Sequence, residues 1–121
     1  MLELKQALES LTADYQQALM AFQAWRPGRG DYFDYPPELN AFMGRLQESP
    51  WVRYDYEPDQ AVAIEQRLDQ ATQDDVCCLL TAWSRAERFC DGAWYQIFEE
   101  QRLEPVFGRL QVLIGVRRNR Y

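Results

Sequence analysis

Residues 2–25 read LELKQALESLTADYQQALMAFQAW, and within them Leu4, Leu8, Leu11, Tyr15, Ala18, Phe22 and Trp25 recur at alternating intervals of four and three. Residues three and four apart lie one turn above each other on a helix, so this spacing draws a single apolar stripe over about three heptads. The stretch is expected to form one helix over 2–25, open to a break near Ser10–Thr12, and to end at Pro27, Gly28 and Gly30. The stripe is long for one face of a small bundle. Surplus apolar length on a terminal helix is a common route to a symmetric pair, so a homodimer through the N-terminal helix is expected.

Outward from that helix the same reading repeats. Residues 26–36 read as a loop closed by Pro36 and Pro37, and residues 38–48 as a second helix with Leu39, Phe42, Met43 and Leu46 on one face. Ser49-Pro50 stops it, because the residue before a proline is pushed out of helical space. Trp51 to Tyr56 alternate in type but have no partner strand, so they read as an ordered loop. A third helix is expected over 58–71, with Pro58 in its first turn and Ala61, Ile64, Leu68 and Ala71 inward. Thr72 with Asp75 three residues on resembles a capping box and opens a fourth helix, 73–88, with Val76, Leu79, Leu80 and Trp83 in the core. Asp91 is expected to N-cap a fifth helix, 92–101, carrying Trp94, Ile97 and Phe98. A sixth, 104–115, has Pro105 in its first turn and Val106, Phe107, Leu110, Leu113 and Ile114 inward. The expected fold is all-α: one irregular or orthogonal bundle of five to six helices, forming a single domain over 1–121.

Charge and composition exclude several functions. Residues 31–75 hold eleven acids against Arg45, Arg53 and Arg67, a local net charge of −8. An acidic middle repels a phosphate backbone, so no nucleic-acid binding is expected. No run of eighteen apolar residues exists, so no membrane span is expected. The N-terminus lacks the basic-then-apolar layout of a signal peptide, and three cysteines, two of them adjacent, make no disulfide framework. Together these point to the cytoplasm.

There is no histidine in the chain, which removes Ser-His-Asp and Cys-His nucleophiles and every His-containing metal site. Cys77, Cys78 and Cys90 lack paired CxxC spacing, the only lysine is Lys5, and neither a phosphate-binding loop nor a dinucleotide fingerprint is present. No metal or cofactor is expected, and an enzyme built here would have to use carboxylates, Cys, Tyr or Arg. Cys77 and Cys78, beside Val76 and Leu79, read as small buried hydrophobes. Eight of the seventeen aromatics fall between 25 and 56 (Trp25, Tyr32, Phe33, Tyr35, Phe42, Trp51, Tyr54 and Tyr56), mostly in loops. Such a concentration either covers the core where no helix does or forms a surface for a protein partner.

One segment combines charge with aromatics: Arg85-Ala86-Glu87-Arg88-Phe89-Cys90-Asp91-Gly92-Ala93-Trp94. Arg85 and Arg88 lie one turn apart, so two guanidiniums and the first N–H groups of the next helix can converge on an anion. Equally, Arg85, Glu87, Arg88 and Asp91 can pair internally and lock the corner, with Phe89 inward and Gly92 allowing close approach. This segment, with the run on through Leu103 to Leu110, resembles an uncharacterised bacterial family of small helical domains. That family carries an Arg-(Gly/Ala)-Glu-Arg-Phe-(Cys/Asn)-(Asp/Glu)-Gly signature. The resemblance covers about 30 of the 121 residues. It implies an all-helical fold without an established activity, and occasional fusion to macrodomains implies ADP-ribose or nucleotide biology by association alone.

The sequence therefore leads to a non-enzymatic binding or interaction module. The alternative is a site for a nucleotide- or ADP-ribose-like anion at Arg85, Glu87, Arg88, Asp91, Gly92 and Trp94. With Phe89 read as packing inward, Phe89→Ala is expected to cost about 3–5 kcal/mol, visible as a large fall in the chemical-denaturation midpoint.

Overall fold

The computed structural model describes residues 2–25, 35–53, 60–89 and 92–115; the side chains of residues 2 and 87–89 lie outside that description. Among the described residues the chain forms six α-helices and no strand: α1 (Leu2–Ala24), α2 (Pro37–Gln47), α3 (Ala61–Gln66), α4 (Gln73–Phe89), α5 (Ala93–Glu99) and α6 (Leu103–Ile114). A short 3-10 turn, Leu68–Gln70, follows α3. The all-α bundle expected from the apolar periodicity is thus the fold observed.

The first helix runs unbroken through Ser10–Thr12. Thr12 Oγ1 donates to the carbonyl of Leu8 at 2.7 Å, so the hydroxyl is satisfied one turn back inside the helix and leaves the ladder intact. Leu8, Leu11, Tyr15, Ala18 and Phe22 are all buried, with Leu4 and Trp25 half-buried at the two ends of the stripe. The stripe that suggested a second copy is covered by the chain's own helices, chiefly α2 and α6.

At the centre, Tyr15 meets Phe42 of α2, Phe98 of α5 and Phe107 of α6 at ring-centroid distances of 5.9, 5.4 and 5.6 Å. These inclined rings, together with Leu39, Leu46, Leu79, Leu80 and Leu110, belong to one contiguous core. Burial, reinforced by the carboxylate of Glu104, raises the Tyr15 phenol well above its ordinary range. The hydroxyl therefore stays protonated and donates to Glu104 Oε2 at 3.4 Å.

Between α2 and α3 the chain turns on Ser49, whose hydroxyl donates to Leu46 O at 2.7 Å and accepts from the Trp51 N–H at 3.3 Å. The turn drives Trp51 into the core, where it is fully buried. Arg53 N–H then donates to the buried Thr81 hydroxyl of α4 at 2.8 Å. The described part of the ordered loop is thus pinned to the bundle.

The third helix is shorter than the apolar spacing suggested. Helical geometry stops at Arg67, with φ −131° and ψ 44°, and Ala71 is already extended. Only Ile64 of α3 is buried. Partners distant in sequence, which periodicity cannot register, hold this segment. Arg102 grips Glu65 with two 2.8 Å hydrogen bonds while lying 5.0 Å over the Trp83 ring, and Arg109 Nε donates to Ala71 O at 2.8 Å.

Thr72 and Asp75 form the capping box that their spacing suggested. Asp75 N–H donates to Thr72 Oγ1 and Thr72 N–H to Asp75 Oδ2, both at 3.1 Å. Val76, Leu79, Leu80 and Trp83 are all buried behind it. The Thr72 N–H, with Arg67 adding a smaller effect, lowers the Asp75 carboxyl below its ordinary value. A carboxyl whose folded pKa is depressed stabilises the fold at neutral pH and loses that contribution as pH falls. We expect Thr72→Ala to cost about 1 kcal/mol in urea unfolding at pH 7. The stability gap between wild type and Asp75→Ala should narrow as pH drops below about 4.

Candidate functional site

The corner between α4 and α5 is built around Gly92, which occupies the position before the first residue of α5 with φ 91° and ψ 2°. That left-handed angle costs a glycine little and any residue with a Cβ considerably more. The expected N-cap, Asp91, lies outside the described residues, and the cap position belongs to Gly92, which makes no side-chain cap bond. The third N–H of α5 finds an acceptor elsewhere, since Tyr95 N–H donates to the Tyr35 hydroxyl at 3.2 Å. A phenol sixty residues away in sequence thereby supplies one bond that a helix N-terminus needs.

Of the other residues singled out at this corner, Arg85 is half-buried on α4, and the side chains of Glu87, Arg88 and Phe89 lie outside the described residues. Trp94 is 1% exposed and packs against Phe42 and Phe98, each at 6.2 Å. Its surface is turned to the ring cluster rather than to solvent. Gly92 and Trp94 come together at the start of α5, and both serve the packing of that helix.

The aromatic concentration between 25 and 56 divides. Tyr35, Phe42 and Trp51 are core residues, Trp25 is half-buried, and Tyr32, Phe33, Tyr54 and Tyr56 lie outside the described residues. Trp25 and Tyr35 meet Tyr95 at one end of the bundle. Trp25 is 5.7 Å from Tyr35 and 6.2 Å from Tyr95, and Phe22 is 5.8 Å from Trp25 and 5.4 Å from Tyr95.

Phe22, Trp25 and Tyr95 border a cleft of about 430 Å³ between the last turns of α1 and α5. Its walls are Trp25 and Tyr95, the largely buried Leu19, Phe22 and Phe98, and Gln23, Glu99 and Gln101, and its exposed surface is more polar than apolar. Phe98 also touches Tyr15 and Phe42, so the core and the cleft share one ring. A second hollow of about 300 Å³, lined by Leu8, Glu9, Thr12, Ala13 and Gln111, lies between α1 and α6 and has no aromatic wall.

Sequence reasoning did not bring Tyr95 or Glu99 into a site. One signal for Tyr95 was available. It follows the buried Trp94 and precedes the buried Ile97 and Phe98, so at 3.6 residues per turn it falls at the edge of the core face. Among the described residues no group of three or more His, Cys, Asp or Glu side chains is arranged to hold a metal, and no helix is long and apolar enough to cross a membrane.

Fold and cleft define an all-helical domain with an aromatic hollow at the C-terminal end of its longest helix. The chain belongs to DUF6508, a family of unknown function, whose model it matches over residues 5–116. Comparison with curated proteins and with solved structures finds no match.

The Tyr35 hydroxyl gives a local test of the cleft's construction. Tyr35→Phe keeps the ring beside Trp25 but removes the acceptor for Tyr95 N–H, at a cost of about 1 kcal/mol. Amide hydrogen exchange at Tyr95 should accelerate in this variant; unchanged exchange would mean that the bond contributes nothing to α5.

Proposed function

We propose that this domain is a non-enzymatic binding module and that the cleft between α1 and α5 is its ligand site. The observation that carries this reading is the cleft itself: about 430 Å³, walled by Phe22, Trp25 and Tyr95, with Gln23, Glu99 and Gln101 as its polar groups. Ligand sites are characteristically apolar hollows of roughly 300–1,000 Å³ with a small number of polar groups that orient the occupant. Trp25 and Tyr95 are half-buried, so each ring is held by neighbours and still presents surface. Rings already held in place lose little freedom when a ligand arrives.

In this scheme the 85–94 corner is a joint that sets the direction of α5. The left-handed angle at Gly92 and the burial of Trp94 support that role. Among the described residues that line the cleft Glu99 is the only ionised one, so a phosphate-rich, ADP-ribose-like ligand would be repelled there. The expected protein-binding aromatic surface narrows, in this proposal, to Trp25 with its neighbours across the cleft, since Tyr35 is buried.

A fragment screen read by amide and indole NMR tests the assignment. Hits should displace the Trp25 indole resonance and the amides of Gln23, Tyr95 and Glu99. Trp25→Leu should weaken them by about 2 kcal/mol, roughly thirtyfold, as removal of a central aromatic anchor does. Hits that instead gather at Arg85 and Gly92 would move the site to the α4–α5 corner and contradict the proposal.

A further inference from the structure

The buried stripe of α1 leaves the opposite face of the helix turned to solvent. From Ala13 to the end of the helix the exposed positions are Ala13, Gln16, Gln17, Met20, Gln23 and Ala24, and none of them is charged. Asp14, beside them, is paired with Arg45 at 3.3 Å. A solvated helix face is usually rich in charge, and two copies of a chain carrying −6 repel each other across any acidic surface. Depletion of charge is instead the mark of the centre of a protein interface.

Two features of this strip complement each other. Met20 is a large apolar side chain left 64% exposed. Two turns toward the N-terminus, on the same face, Ala13 borders the hollow of about 300 Å³ between α1 and α6. That hollow exposes mostly apolar surface; the buried Leu8 lines it, and the Thr12 hydroxyl in its wall is bonded to the Leu8 carbonyl. Methionine, unbranched and polarisable, fills irregular apolar spaces well, and a residue as small as alanine lets a second helix come close.

We propose that this face of α1 is the interface between two copies of the chain. The two α1 helices pack antiparallel about a two-fold axis between Gln16 and Gln17, and Met20 of each copy enters the hollow beside Ala13 of the other. Knob and hole lie on one helix face, so a single axis satisfies both at once, as a closed dimer requires. Gln16 and Gln17 meet their counterparts at the axis, and an amide, being donor and acceptor together, can bond its own kind. Glu9, which also lines the hollow, falls opposite the uncharged Ala24, so no acid is set against an acid along the strip. A contact of about four helical turns is smaller than the roughly 1,200 Å² at which stable interfaces begin, so the dimer is weak and exchanges with monomer.

Sedimentation equilibrium of the full chain from about 10 µM to about 1 mM spans the range in which so small a contact forms and dissociates. The apparent mass should climb from 14.3 kDa toward twice that value. Over the same range the amides of Ala13, Gln16, Gln17 and Met20 should shift with concentration, a readout that needs no substitution. Ala13→Lys and Met20→Glu, each at an exposed position, should melt like wild type and weaken the dimer about tenfold or more, since each puts an unpaired charge into the contact. Combined in one chain they bring opposite charges together on both sides of the axis and should restore association. A mass fixed at 14.3 kDa throughout would overturn the proposal. A dimer indifferent to both single substitutions would lie on another face and overturn it too, as would a double variant that stays monomeric. Concentration-dependent shifts gathered away from α1 would overturn it independently of any variant.

Discussion

Phe98 packs against Tyr15 at 5.4 Å, Phe22 at 5.6 Å, Phe42 at 5.8 Å and Trp94 at 6.2 Å, and it also lines the cleft. It sits on α5, a helix of only seven residues. Isolated helices of that length are unstable in water, so α5 exists only as far as tertiary packing holds it. Trp94, Ile97 and Phe98 are its buried residues, and its first turn donates the Tyr95 N–H to the Tyr35 hydroxyl. Everything that makes the cleft, including the positions of Tyr95 and Glu99, follows from how these rings seat one short helix.

Around that seat the bundle is tied by partners far apart in sequence. Arg102, at the start of α6, joins Glu65 on α3 to the face of Trp83 on α4, and it is only partly exposed. Hydrogen bonding to Glu65 raises its already high pKa further, so the guanidinium stays charged. Arg109 to Ala71, Arg53 to Thr81 and Tyr15 to Glu104 do comparable work elsewhere. By contrast Trp51 Nε1 and Ser84 Oγ are buried without a hydrogen-bond partner among the described residues. Such groups cost stability unless the apolar burial around them exceeds the loss, as it does for a ring the size of Trp51.

The fold was legible wherever its cause was local. The interval of four and three gave α1, proline and glycine gave the breaks, and Thr72 with Asp75 gave the start of α4 to the residue. Misreadings arose where the cause was distant. The third helix was drawn too long because its apolar positions fit a helix, whereas Arg67 leaves helical geometry and the segment is held by Arg102 and Arg109 from the other end of the chain. At the start of α5 Tyr35 supplies an acceptor for the first turn, a contribution no local pattern registers, while Asp91, the residue expected to cap it, lies outside the described residues. The cleft was hardest to see, because Phe22 and Trp25 are about seventy residues from Tyr95 and Glu99 and no spacing rule connects them. The 85–94 segment drew attention because its charges are contiguous, and contiguity is the one kind of proximity a sequence displays.

The rings at the ends of α1 and α5 are already assembled before any ligand binds. Nuclear Overhauser contacts between aromatic protons in the ligand-free protein measure this directly. Cross-peaks are expected from the Trp25 ring to Tyr95 and to Tyr35, and from Phe22 to Phe98, matching centroid separations of 6.2, 5.7 and 5.6 Å. Absence of the Trp25–Tyr95 and Trp25–Tyr35 contacts, with Phe22–Phe98 retained, would show an intact core without a formed cleft and would contradict the claim.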